Sequence, residues 1–452
     1  MMEWKQLISP HRVGRRRDEP AGLTPERSPF QRDFDRIVFS SAFRRMQDKT
    51  QVFPLSGNDY VRTRLTHSLE TASIGRSLGS TAGVFLCQNF DTGGAHPSDF
   101  GAIVAAAALA HDIGNPPLGH GGEESIRDWF LCSDSARPLQ QQMTAAEWED
   151  LIRYEGNAQG FRVLCKLQMP DQPGGMQLTC ATLGAFAKYP RASLTDTPPP
   201  GVAGKKFNFF QADRELFREV AESTGMIACG QDSYCRHPLA YLVEAADDIA
   251  YRIVDFEDGH MAGVIPYPDL EAAFLEIINE DWVADYLKKL QLPARRAEFL
   301  RAQAVGVLVR QSTEVFAERQ EEILRGSMTG SLIEQIPAAE TLKKIQQRSV
   351  HSIYHAPQVA SVIAAGFELL SGMLEIFVPA VHEIAMERSG RGKASYRAHR
   401  IFHIIPPHFA PVDQDHWQQR AYLRTLHILD YLAGMTDSYA VNLYKKLKGI
   451  SL

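Results

Sequence analysis

Between Ala105 and Glu123 the chain reads Ala-Ala-Ala-Ala-Leu-Ala-His-Asp-Ile-Gly-Asn-Pro-Pro-Leu-Gly-His-Gly-Gly-Glu. A small, apolar helix runs into an adjacent His111-Asp112 pair, a Gly/Pro turn follows, and His120 and Glu123 come after it. Imidazole nitrogens and carboxylate oxygens suit borderline or hard divalent metals. An isolated His-Asp pair also fits a plainer account, a hydrogen-bonded buried histidine beside a capping aspartate. Two further features shift the balance toward a metal. His67 lies in an amphipathic stretch with Arg64 one helical turn before it on the same face, and an Asp247-Asp248 pair closes the apolar run that starts at Pro238. Two histidines and two aspartates leave coordination positions open for water and substrate, which is the mark of a catalytic rather than a structural site.

The choice between Asp247 and Asp248 follows from helical periodicity. Asp247, Tyr251 and Asp255 are spaced i, i+4, i+8 and form one polar stripe, whereas Asp248 falls about 100° away. Asp247 is therefore the expected ligand. His120 and Glu123 have a different character. An imidazole titrating near neutrality suits proton transfer, and an acid one turn later is placed to orient it.

The elements that must position these groups read as mostly α. Apolar residues recur at helical spacing over 34–53 and from about Thr63 to Ser80. The helix ending at His111, the stretch from Glu123 to about Phe130, and the segments Trp148–Leu167 and Pro238–Asp255 follow the same pattern. Pro54 to Asp59 reads as a turn. Helical pattern returns over 268–291, 294–325, 338–348, 357–387 and 416–445. Strand signals are confined to Lys206–Phe210 and Ile401–Ile405. The expected division is a polar, basic N-terminal arm (1–33, with Arg12 to Arg17 either solvated or a contact for phosphate), a helical core (34–267) with a mobile loop at about 190–206, and a C-terminal helical region (268–452).

Composition sets limits on function. The chain has 452 residues, 44% apolar and 23% charged, with a net charge of −6. That balance is globular and argues against a surface that coats nucleic acid broadly. No uninterrupted apolar run reaches about 18 residues, and Met-Met-Glu-Trp-Lys-Gln has no signal-peptide pattern. No membrane span is expected, and a cytoplasmic location is. The six cysteines form no CxxC pair, so reduced thiols are expected.

The ordered set His67, His111-Asp112 and Asp247 resembles the signature of HD-domain metal-dependent phosphohydrolases. Seven segments (Phe43–Pro54, Thr63–Glu70, His111–Glu123, Glu155–Gly160, Ala181–Pro190, Glu244–Tyr251 and Asp430–Asp437) narrow the resemblance to bacterial deoxyguanosinetriphosphate triphosphohydrolases and their relatives. The likeness spans about residues 30 to 440. It implies an HD-domain helical core and hydrolysis of a dNTP, dGTP foremost, to the deoxynucleoside and inorganic triphosphate; the alternatives are another HD phosphohydrolase activity, as a nuclease or nucleotide phosphodiesterase, and a non-catalytic nucleotide- or single-stranded-DNA-binding homologue. It also implies a divalent metal (manganese, magnesium, cobalt, iron or nickel) at His67, His111, Asp112 and Asp247, and His120 and Glu123 as the catalytic pair. Gln51, Arg64, Asn157, Lys188, Tyr251 and Asp255 are implied as substrate contacts, with Tyr251 packed beneath the sugar where a 2′-hydroxyl would not fit. A homo-oligomer, a hexamer foremost, and regulation by dNTP or single-stranded DNA belong to the same expectation.

Overall fold

The computed structural model describes residues 1–15, 27–51, 62–354, 357–411 and 415–450. The turn expected at Pro54–Asp59 lies outside these residues, as do Arg16 and Arg17. The fold is helical throughout, with one two-stranded hairpin among the described residues, Ala228–Gly230 against Ser233–Tyr234.

Two long helices form the centre. Arg64–Asn89 starts at Thr63, whose hydroxyl accepts from the Thr66 amide while the Thr66 hydroxyl accepts from the Thr63 amide. It extends nine residues beyond the expected end at Ser80. Its partner, Pro97–Ala110, begins with proline in its first turn and a His96 cap, a favoured way to open a helix. Glycine lets the two backbones approach, since a Cβ at Gly79 would fall 2.6 Å from the Phe100 carbonyl oxygen. Helix Pro238–Ile249 packs on both. Residues Phe100 to Ala110 are almost entirely buried, so this helix is the spine of the first of two cores.

The second core is built around Pro357–Arg388, which packs on His120–Cys132 and Ala421–Ala433. By length and hydropathy part of this helix, Ile363–Arg388, could cross a bilayer, but half of that apolar window is buried within the fold. Leu370, Met373, Phe377 and Val381 are fully enclosed, which is the behaviour of a core helix.

The N-terminal residues are not a solvated arm where they are described. Met2, Trp4 and Leu7 are buried. Arg12 is enclosed with its guanidinium paired: it donates to Asp33 Oδ1 at 2.7 Å, to the Gln177 carbonyl at 2.6 Å and to the Pro29 carbonyl at 3.0 Å. The strand expectations also need correction. Ile401–Ile405 falls in and just after helix Tyr396–Phe402, where a Ser395 cap and the inward Ala398 and Ile401 override β-propensity. Lys206–Phe210 contributes a single bridge, Ala192 to Phe209. The segment 190–206 is tied down by that bridge, by Arg191 to Ser233, and by the Val202 amide donating to the Thr329 carbonyl.

His237 caps the helix that carries Asp247, and both ring nitrogens are committed. Nε2 meets the Leu7 carbonyl at 2.9 Å and Nδ1 accepts from the Leu239 amide at 3.2 Å, so only the neutral tautomer fits. Burial pushes its pKa down to about 4. The unfolded chain binds a proton below about 6.5 that the fold refuses, so this stability is complete above that pH and is lost as pH falls through 6.5 toward 4, by about 3 kcal/mol in all. Denaturant titrations of the parent and of His237→Asn across that window should differ by this slope, and parallel curves would show that His237 is not the group responsible.

Candidate active site

Three side chains from three helices converge. His67 comes from the first turn of Arg64–Asn89, His111 from the end of Pro97–Ala110, and Asp247 from the last turn of Pro238–Ile249. Their donor atoms all lie within 4.8 Å of one another. Asp247 Oδ1 is 3.3 Å from His67 Nε2 and 3.4 Å from His111 Nε2. The group fits a divalent cation on its own chemistry. His111 Nδ1 is 2.7 Å from the Ala108 carbonyl, so that nitrogen carries the proton and Nε2 presents a lone pair to the centre.

Asp112 is adjacent but differently engaged. Its Oδ2 lies 3.5 Å from His111 Nε2, while Arg64 donates to Oδ2 and Asn115 to Oδ1. Burial alone would raise the Asp112 carboxyl, but the Arg64 guanidinium and the His111 ring outweigh it and hold the group well below the usual carboxylate range. Asp247 behaves alike: burial works against its charge, and His111, His67 and Lys188 more than compensate. Asp248 is outside the three-residue group and faces Arg252 at 3.8 Å.

Two cavities meet at these residues. The smaller, about 280 Å³, is lined by Asn157, Lys188, Tyr189 and Lys206. The larger, about 600 Å³, is lined by Gln51, Arg64, Tyr251 and Gln346. His111, Asp112, His120 and Asp247 form walls of both. Lys188 and Lys206 are held against carboxylates, Lys188 at 3.5 Å from Glu244 and Lys206 at 3.0 Å from Glu155, which keeps cationic groups in a partly enclosed space. Asp255 is separated from this arrangement. It is 1% exposed and acts electrostatically on His67 rather than lining either cavity. The reason is a wide π turn over Ala250–Val254, which breaks the α repeat on which the i+8 spacing relied.

His120 stands at the junction, with a side chain 80% exposed, over a Glu123 that is 2% exposed. Nδ1 meets Glu123 Oε2 at 2.7 Å, and the other Glu123 oxygen accepts from the Gly156 amide at 2.7 Å. Burial would raise the Glu123 carboxyl, but the hydrogen bond from His120 and the nearby Lys206 bring it below its ordinary value.

The turn that returns His120 to the metal-capable group is unusual. Leu118 and Gly119 both have left-handed backbone, φ 62° and 58°, a region costly for leucine. A Cβ at Gly119 would lie 2.3 Å from Arg64 Nη2, so any side chain there would push Arg64 from its place beside Asp112. The turn is held from the far end of the chain. Buried Asp437 accepts from the Leu118 amide through Oδ1 at 2.9 Å, and from the Thr50 amide and hydroxyl through Oδ2 at 2.9 and 2.7 Å. Lys49 donates to the Asn115 and Ala433 carbonyls. Sequence reasoning missed Lys49, Asp437, Tyr189 and Lys206. Lys49, Tyr189 and Asp437 fall inside segments that carry the resemblance (Phe43–Pro54, Ala181–Pro190 and Asp430–Asp437), but nothing there gave them a role, and Lys206, at the end of a long loop, read as an ordinary surface position.

This fold and group of residues define an HD-domain hydrolase. The HD domain family matches residues 64–148, which include His67, His111, Asp112, His120 and Glu123 but not Asp247, and the phosphohydrolase-associated domain family matches 397–446, which includes Asp437. A deoxyguanosinetriphosphate triphosphohydrolase-like protein of Synechocystis is 42% identical with all of both chains covered, and one of Pseudomonas aeruginosa is 37% identical over all of this chain and 99% of its own. The deoxyguanosinetriphosphate triphosphohydrolase of Cronobacter sakazakii is 30% identical over 99% of each. The chain belongs to the deoxyguanosinetriphosphate triphosphohydrolase-like family.

Removing the Asp437 carboxylate strips an acceptor from the Leu118 and Thr50 amides. Asp437→Ala should lose about 1–3 kcal/mol, and hydrogen exchange at those two amides should accelerate more than exchange in the helix Arg64–Asn89. Equal acceleration in both places would mean global loosening rather than release of the turn.

Proposed function

We propose that this hydrolase converts a deoxynucleoside triphosphate, dGTP foremost, and water to the deoxynucleoside and inorganic triphosphate. The observation that carries the reading is the position of His120, exposed at the junction of the two cavities, oriented by a buried carboxylate and facing the His67–His111–Asp247 group.

His67, His111 and Asp247 would hold the metal, with Asp112 beside them as the fourth expected ligand. A divalent ion bound there polarises a phosphoryl oxygen and lowers the pKa of a coordinated water. Manganese, magnesium and cobalt are the first to test. Lys188, Lys206 and Asn157 receive phosphate oxygens in the smaller cavity. Gln51 and Tyr251 face the nucleoside in the larger one, and Arg64 spans from Asp112 toward the phosphate, a task suited to a guanidinium. With Nδ1 committed to Glu123, His120 exchanges a proton with the reacting oxygen through Nε2. Asp255 lies outside both cavities and acts on the charge of His67. A hexamer in the cytoplasm, regulated by dNTP or single-stranded DNA, extends this proposal by family likeness.

A panel of the four dNTPs with each metal, analysed for nucleoside and inorganic triphosphate together, tests the reaction. Release of nucleoside monophosphate or pyrophosphate would sink it. His120→Ala should lower kcat by about 10²–10⁴-fold while retaining metal. Asp247→Ala should instead lose the metal, read by elemental analysis after gel filtration. A His120→Ala chain as fast as the parent across the metals would remove His120 from the chemistry.

A further inference from the structure

Outside the candidate active site, the fold brings two thiols together. Cys229 and Cys235 sit on the short hairpin, with their Sγ atoms 3.4 Å apart. Cys229 is the residue at the pairing irregularity between Ala228 and Gly230, and the Cys235 amide donates to the Ile227 carbonyl at 2.7 Å, closing the base of the hairpin. The two sulfurs are unequal. Cys229 is partly exposed and Cys235 is buried, packed so closely that a Cβ at Gly326 would fall 2.3 Å from its sulfur.

We propose that Cys229 and Cys235 form a reversible intramolecular disulfide when the chain meets a low-molecular-weight disulfide such as oxidised glutathione, and that this bond weakens anion binding in the lysine-lined cavity. The Cys229 thiolate attacks the external disulfide, releasing one thiolate and leaving a mixed disulfide on Cys229. The Cys235 thiol then gives up its proton, through solvent, to a released external thiolate, its sulfur attacks Cys229 Sγ, and the second external sulfur leaves as a thiolate that is protonated by solvent. Two protein thiols and one external disulfide thus become one protein disulfide and two external thiols. The hydrogen bond from Cys235 draws the Cys229 thiol down to about 7, which favours Cys229 as the first attacker. The sulfurs need to close by only about 1.4 Å to reach bonding distance.

The route from the hairpin to the cavity is short. Arg236, the next residue, donates through Nε to the Lys188 carbonyl at 2.8 Å and pairs with Glu244, which also holds Lys188 Nζ at 3.5 Å. The hairpin also anchors the segment that ends at Lys206: the Ala192 amide donates to the Asp232 carbonyl at 2.9 Å, the Tyr234 amide to the Pro190 carbonyl at 2.9 Å, and the Ser233 hydroxyl to the Thr197 carbonyl at 2.7 Å. Both lysines of the cavity are therefore connected to the backbone that the disulfide would tighten.

The test uses the full chain carrying Cys132→Ser, because Cys132 is exposed and would take up glutathione by itself. After oxidised glutathione, peptide mapping should show Cys229 linked to Cys235 with no glutathione on either, and dithiothreitol should reverse it. In Cys235→Ser, glutathione should stay on Cys229. Glutathione persisting on Cys229 while Cys235 is intact, or both thiols remaining free, would overturn the disulfide. Inorganic triphosphate, measured by calorimetry, should bind several-fold more weakly to the oxidised chain than to the reduced one, and equal affinities would overturn the link to the cavity. This second arm rests on the phosphate-binding role proposed for the lysines. It needs no turnover, so failure of the dNTP assay and failure of this proposal remain distinguishable.

Discussion

The site depends on a carboxylate far from it in sequence. The chain must leave His111, turn within eight residues, and bring His120 back over the same point. It does so through two consecutive left-handed residues, one of them leucine, an arrangement that a short peptide would not hold. Asp437 supplies what is missing by accepting the Leu118 amide directly, and Lys49 draws the Asn115 carbonyl toward Ala433. Burial brings the Lys49 ammonium down to about 7, with Asp437 opposing that fall. The C-terminal region therefore completes the active-site turn as well as covering the second core.

Buried charge serves the same end elsewhere. A buried ion pair is weak evidence for stability, because desolvation offsets most of the attraction. Its directional hydrogen bonds still fix geometry. Arg162 donates to both oxygens of Asp430 and to Asp213 at 2.8–3.0 Å. It ends the helix Gly156–Arg162, whose first amide holds Glu123. The orientation of His120 is thus connected through Glu123 and one short helix to an arginine locked between two acids. Arg236 has the same relation to Lys188 through Glu244.

What was legible in the sequence was periodic or clustered. The His111-Asp112 pair, the helix before it and the helix from Pro238 were readable because their apolar residues recur and their ends carry caps and prolines. Asp247 rather than Asp248 followed from the stripe, and the three-residue group contains Asp247. Asp255 lines neither of the two cavities, and the π turn before it leaves no compositional trace in Ala-Tyr-Arg-Ile-Val. The N-terminal residues were misread for a related reason. A basic run looks solvated until its partners are known, and Arg12 finds them at Asp33, Pro29 and Gln177. Asp437 and Lys206 were illegible because their meaning lies in contacts across hundreds of residues or across a loop.

The metal-capable group and His120 are shared walls between a small chamber with two lysines and a larger one with mixed polar and apolar lining. On the proposed reading the phosphates and the nucleoside occupy opposite sides of those shared walls. The bond nearest the shared walls is then the one joining the α-phosphorus to the 5′ oxygen, not a bond between phosphates. Cleavage there releases the triphosphate whole. The choice of bond would come from where the chambers meet rather than from any special reactivity of His120, whose pairing with an acid is common to many hydrolytic sites. Bond selection in this reading is a property of the partition, and the partition is made by the helix ends that deliver His111 and Asp247 and by the strained turn that brings His120 back to them.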